Sequence, residues 1–265
     1  MITYRNLGNV GRLGNALFEL AATIGIGFDH GEDVRFPADW IHRPFFSVPD
    51  DLFGPIPDDA KESTDFAAHL DYRARPYLQD VNLFLPYLDL IRTYLQPSEL
   101  AIEVLSYYEL PKRPRLGIHV RRGDNVFDPG VPNKGDYHFC PPWSYYYRAA
   151  AEFADHYEST AVFSDDVEAC RVNLPAQFYG DGRAYWKEHE EHFGKDAPWD
   201  WIDLFLMSRC NYLVITGSTY GIWGAFLANL VPQNVVRCDK VYGPIVSAYT
   251  NSELMFDPDW RVLSC

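Results

Sequence analysis

Leu116-Gly117-Ile118-His119-Val120-Arg121-Arg122-Gly123-Asp124 decides how this chain is read. Five residues form a short, mainly apolar run fit for a buried parallel strand, and polar residues follow at once. Downstream the pattern repeats. Strands are expected at 161–164, 177–179, 212–216 and 235–238, the last closing the sheet. Helices are expected at 142–157, 167–173, 199–209 and 221–230. Such alternation predicts an α/β fold with a parallel sheet, whose ligands sit at the carboxyl ends of the strands.

Upstream, Gly11-Arg12-Leu13-Gly14-Asn15 opens a helix whose apolar stripe is Ala16, Leu17, Leu20, Ala21 and Ile24, fading at Gly25 and Gly27. Val34-Arg35-Phe36 is a strand candidate. Residues 37–60 carry five Pro and read as loop. Residues 82–110 read as pieces of helix, with Leu83, Leu88, Ile91, Leu95, Leu100, Val104 and Leu105 as buried candidates. Pro111-Lys112-Arg113-Pro114 breaks the chain, so domains are expected at 1–112 and 113–265.

Composition narrows the function. The 265 residues are 47% hydrophobic and carry a net charge of −14. A core of good size is assured, and a general nucleic-acid binder is disfavoured. A nucleoside diphosphate needs only two or three local cations. The five Cys form no CxxC pair, which disfavours a zinc ribbon, and their odd count and wide spacing lean towards a reducing compartment. With no apolar run near the ~20 residues of a membrane span, the expectation is a soluble, cytoplasmic protein. Gly25-Ile26-Gly27-Phe28-Asp29-His30-Gly31 lacks the GxGxxG spacing and ends a helix, which argues against NAD.

Three strand ends carry the chemistry. After the first, Arg121 and Arg122 project to opposite sides if the strand continues. One guanidinium can grip a phosphate bidentately. A structural Arg–Asp pair is an equal alternative on chemistry alone. After the second, Asp165 and Asp166 can hold a metal, read a nucleoside, or cap a helix. After the third, Thr216-Gly217-Ser218-Thr219-Tyr220-Gly221 can cradle phosphate at a helix start or simply begin that helix.

Together these residues resemble glycosyltransferase family 11, the α1,2-fucosyltransferase family. The likeness lies in His119–Asp124, Phe163–Asp166, Asp203–Asn211, Ser218–Leu227 and the opening Gly11–Phe18. Ala16-Leu17 stand where that family usually has Gln-Met, and Thr219–Trp223 depart from many bacterial members. The resemblance implies a GT-B architecture, two Rossmann-like domains facing across a cleft, with the donor in the C-terminal domain and the acceptor on the N-terminal side. It implies transfer of L-fucose from GDP-β-L-fucose to a galactoside hydroxyl, with inversion and no metal. It implies donor contacts from Asn15, His119, Arg121, Arg122, Asp165, Asp166, Asp203, Ser218, Thr219 and Tyr220. Arg121 or Arg122 would neutralise the β-phosphate, and Asp124 or Asp128 is a candidate base. Two rivals remain: a transferase of another GDP-sugar or linkage, and a sugar-binding module without turnover.

Overall fold

The computed structural model describes residues 1–126, 134–188 and 197–265. They form two compact units: Met1–Val104 with Glu253–Asp257, and Leu105–Ser252 with Pro258–Cys265.

The first unit is built around one long helix, α1 (Leu13–His30), buried from Leu13 to Gly27 except at Asn15. The short strand β1 (Ile2–Thr3) pairs in parallel with β2 (Lys61–Glu62). Val34 and Phe36 make only isolated bridges, to Ile2 and Phe53, so the expected strand there is reduced to single contacts. Helix α1 also runs past the point where it was expected to fade. Gly25 and Gly27 are not breakers here. A Cβ at Gly25 would collide with the Leu83 carbonyl oxygen, and one at Gly27 with the Val34 side chain. They let neighbouring chain approach the helix closely, and the helix ends only at Gly31, at φ 63°. Two shorter helices, α2 (Leu88–Tyr94) and α3 (Glu99–Leu105), match the pieces expected there. Leu100, however, is 38% exposed.

The second unit is a six-stranded, all-parallel sheet. Its strands are β3 (Arg115–Val120), β4 (Ser159–Ser164), β5 (Phe178–Gly180), β6 (Tyr212–Ile215), β7 (Val235–Cys238) and β8 (Arg261–Leu263), in the order β5-β4-β3-β6-β7-β8. β7 does not close the sheet, because β8 pairs beyond it. Arg261-Val262-Leu263 is too short, and too mixed, to stand out by pattern.

Among the described residues this unit has, in chain order, the helices α4 (Gly123–Val126), α5 (Trp143–Ala151), α6 (Val167–Asn173), α7 (Gly182–Glu188), α8 (Asp200–Met207) and α9 (Thr219–Ala228). A short helix, α10 (Pro244–Ser247), follows. Leu116, Ile118 and Val120 pack with Tyr145, Tyr146 and Cys170 on one face of the sheet. The alternate residue His119 meets Gly221 of α9 on the other. α5 stops short of the expected Tyr157, since residues 152–156 only turn. Cys238 and Cys265, 27 residues apart in sequence, form a disulfide with Cα atoms 5.8 Å apart. That pairing runs against the lean towards a reducing compartment. Cys210 is core, as expected. Among the described residues no helix is long and apolar enough to cross a membrane.

The glycine argument is testable. Gly25→Ala should lower unfolding free energy by about 1–3 kcal/mol through overpacking. Gly31→Ala, with open space around its Cβ, should cost only about 1 kcal/mol, from its left-handed backbone. Urea denaturation of both variants measures the difference.

Candidate functional site

The strand order reverses direction between β3 and β6. From β3 the chain steps to β4 and β5 on one side, then returns to β6 on the other. In an open parallel sheet, the crevice beyond the carboxyl ends at such a switch point is where ligands bind. Here β3 runs into Arg121-Arg122, and β6 into Thr216-Gly217-Ser218.

Register brings the second strand end into the same place. Val120 is paired with Ser164, so Arg121 and Arg122 stand beside Asp165 and Asp166. The Arg121 guanidinium forms a close ion pair with Asp165. The other Asp165 oxygen accepts the Arg122 backbone N–H at 2.8 Å. Arg122 lies on the opposite side. Its guanidinium stacks 4.5 Å from the Trp143 ring centroid, and its Nε is 3.5 Å from Asp166 Oδ2. Its Nη1 lies 3.7 Å from Cys140 Sγ. Asp166 also caps α6, accepting from the Ala169 N–H at 3.2 Å. The Arg–Asp pairing and the capping role therefore both exist, with Asp165 and Asp166 as the carboxylates. Four charged side chains hold one another at a strand-end corner, each still 19–35% exposed. Gly123 leaves room for the carboxylate there, since a Cβ would stand 2.5 Å from Asp165 Oδ2 and push it aside.

The β6 end supplies a helix N-terminus. Ser218 occupies the N-cap of α9, yet its side chain makes no capping hydrogen bond, and the first turn has no acid. Such an end attracts anions. Thr216 is buried, and its hydroxyl has no partner among the described residues. Tyr220 anchors α9 to α8 by donating to the Asp200 carbonyl oxygen.

Two buried titratable groups flank this edge. His119 is 4% exposed, and burial, then Arg121, pull its pKa down to about 3. It is neutral at physiological pH and lies 5.6 Å from the Tyr220 ring, centroid to centroid. Asp203, on α8, accepts from the Gly182 N–H at 3.2 Å. Burial pushes its pKa up to about 7, against that hydrogen bond.

The structure thus gathers Arg121, Arg122, Asp165 and Asp166 at one corner and sets Ser218, Thr219 and Tyr220 at the start of α9, which follows the strand next to β3. His119 and Asp203 are buried in the same unit. Asn15 belongs to the first unit, where its Oδ1 accepts from Gln79 Nε2 at 3.2 Å. Asp124 falls on α4, with its side chain outside the described residues, and Asp128 lies outside them altogether. Trp143 and Thr216 were not singled out as ligands. Nothing in local spacing marks an aromatic twenty-one residues past an arginine as its platform. Among the described residues one candidate metal group is Cys238, Asp239 and Cys265, whose two sulfurs are joined.

The model of glycosyl transferase family 11 matches residues 50–260. The chain belongs to that family. It is 28% identical over 175 residues to the O-antigen biosynthesis glycosyltransferase WbnK of Escherichia coli, a match covering 62% of this chain and 53% of that protein. It is 33% identical over 126 residues to galactoside alpha-(1,2)-fucosyltransferase 1 of Leontopithecus chrysomelas, covering 44% of this chain and 30% of that one. The match therefore spans about half the length of the first relative and under a third of the second. A crystal structure of NodZ alpha-1,6-fucosyltransferase soaked with GDP-fucose aligns with a TM-score of 0.46 at 14% identity, over 90% of this chain and 94% of that one.

The two buried groups predict opposite pH effects. The histidine's folded pKa lies below its unfolded value. Its contribution is present above pH 6.5 and is lost as pH falls from there towards 3, by about 1.4 kcal/mol per pH unit. For Asp203 the folded value is raised, so its contribution is present below pH 3.8 and is lost as pH rises towards 7. His119→Gln should flatten the acid side of the stability profile relative to wild type, and Asp203→Asn the rise-in-pH side. Chemical denaturation from pH 4 to 8 checks both.

Proposed function

We propose that this protein is an inverting fucosyltransferase. In this reading it moves L-fucose from GDP-β-L-fucose to a galactoside hydroxyl in α1,2 linkage. The observation that carries the proposal is the pair of guanidiniums at the sheet's switch point, beside an uncapped helix start. As the sugar departs, negative charge grows on the diphosphate. Arg121 or Arg122, already oriented by Asp165, Asp166 and Trp143, stabilises that charge without having to reorganise. Ser218, Thr219 and the first N–H groups of α9 bind the phosphates. His119, Asp165, Asp166, Asp203 and Tyr220 shape the donor site, and Asn15 serves substrate in the first unit. The acceptor hydroxyl attacks from the face opposite GDP, and Asp124, Asp128 or the phosphate itself takes its proton.

The rest of the proposal concerns setting. The N-terminal unit serves the acceptor and the C-terminal unit the donor, as in a GT-B enzyme. No metal takes part, with fixed guanidiniums doing the work a divalent cation would do. The protein works in the cytoplasm.

Incubation with GDP-fucose or GDP-mannose and a panel of galactosides, read by mass spectrometry, tests donor, acceptor and linkage. Transfer from GDP-mannose alone would sink the donor assignment, and sugar binding without turnover would favour a binding module. Steady-state kinetics of Arg121→Ala and Arg122→Ala should show a loss of roughly 10²-fold or more in kcat for the arginine that contacts the phosphate. Near-normal turnover in both would refute the clamp.

A further inference from the structure

The first unit buries a carboxyl that the proposed reaction does not use. Glu19, on α1, is 0% exposed, between the equally buried Phe18 and Leu20. An apolar side chain would be the ordinary occupant, since an under-bonded buried polar group is costly. One oxygen, Oε2, accepts the Gly8 N–H at 3.3 Å, and Oε1 has no partner among the described residues. Burial pushes its pKa up to about 8 against the pull of that N–H, so at neutral pH it is a carboxylic acid.

Gly8 lies in the turning segment, residues 5–11, that leads into α1, and its surroundings are close. It adopts φ 75°, and Gly11 adopts φ 80°. A Cβ on Gly8 would stand 2.7 Å from Trp40 Cδ1 and 3.0 Å from Trp40 Nε1. The Trp40 indole is itself buried, and its N–H has no acceptor among the described residues. A Cβ on Gly11 would collide with the Asn15 side chain. The turn thus rests on Glu19 and Trp40 at one glycine and on Asn15 at the other.

We propose that Glu19 is a positioning residue: its carboxyl holds Gly8, and with it the 8–12 turn, in the shape that sets Asn15 for substrate. The role in catalysis rests on the transferase reading above. Several titratable groups bear on this site. Tyr4, whose own pKa is raised by burial and then by Glu19, is one, with Glu62 and Tyr77 acting on it in turn. His42 lies 5.9 Å from the Trp40 ring, centroid to centroid. Burial outweighs the Gly8 N–H, which favours the carboxylate, so opening that lets water reach Glu19 becomes easier as pH rises from 4.5 towards 8.

The experiment measures hydrogen exchange of residues 6–12, corrected for intrinsic rates, together with fucosyl transfer, from pH 6 to 9.5. It compares the wild type with Glu19→Gln and Glu19→Met. In the wild type, exchange should rise and transfer should fall together as pH rises to about 8, then level off. Glu19→Gln keeps an acceptor but cannot ionise, so it should flatten both curves. Glu19→Met should keep or raise Tm, open the turn at every pH, and raise KM about tenfold, the equivalent of one hydrogen bond, with kcat little changed. The proposal is overturned if Glu19→Met leaves exchange and KM unchanged, or if Glu19→Gln retains the rise in exchange towards pH 8. A wild type that shows the transition in exchange yet transfers no fucose would overturn the donor assignment and leave the hold on the turn intact.

Discussion

Two guanidiniums and two carboxylates meeting across a pair of parallel strands set the terms for the second unit. The register that pairs Val120 with Ser164 places Arg121-Arg122 beside Asp165-Asp166. A slip of one residue would turn each side chain to the other face of the sheet. Removing one member would leave a partly buried charge without its partner, which costs more than the pair itself contributes. The corner therefore ties together β3, β4, the start of α6 and the Trp143 end of α5. Its residual exposure leaves the guanidiniums able to meet an anion.

Burial on both faces of the sheet explains the rest of the site's electrostatics. His119 points from β3 into the α9 side, and Asp203 points from α8 towards Gly182 of α7. Each is moved towards its neutral form by the same cause, loss of water. Charge near the switch point is thus concentrated in the arginine–aspartate corner, while behind it His119 is neutral and Asp203 only partly ionised at neutral pH.

Close backbone approach is the second recurring device. Gly25 admits the Leu83 carbonyl, Gly123 admits Asp165, and Gly221 admits the His119 ring. In each case the missing Cβ makes room for a group distant in sequence. A glycine's meaning is therefore not local. The same residue type that suggests a breaker from Gly25 and Gly27 continues a helix when a neighbour fills the space.

Much of this was legible beforehand. Apolar runs followed by polar residues located five of the sheet's strands and their carboxyl ends, because period and strand ends are local properties. The motif order pointed to the family. The sequence by itself determined the parallel α/β pattern and the identity of the strand-end residues: Arg121, Arg122, Asp165, Asp166 and the Ser218-Thr219 turn. Only the tertiary structure decided their partners. It chose Asp165 and Asp166 for the arginines, Trp143 as a platform, β8 as the sheet's edge, and Glu19 as the buried hold on Gly8. Those pairings join residues from roughly ten to well over twenty positions apart, and only packing and strand register bring them into contact.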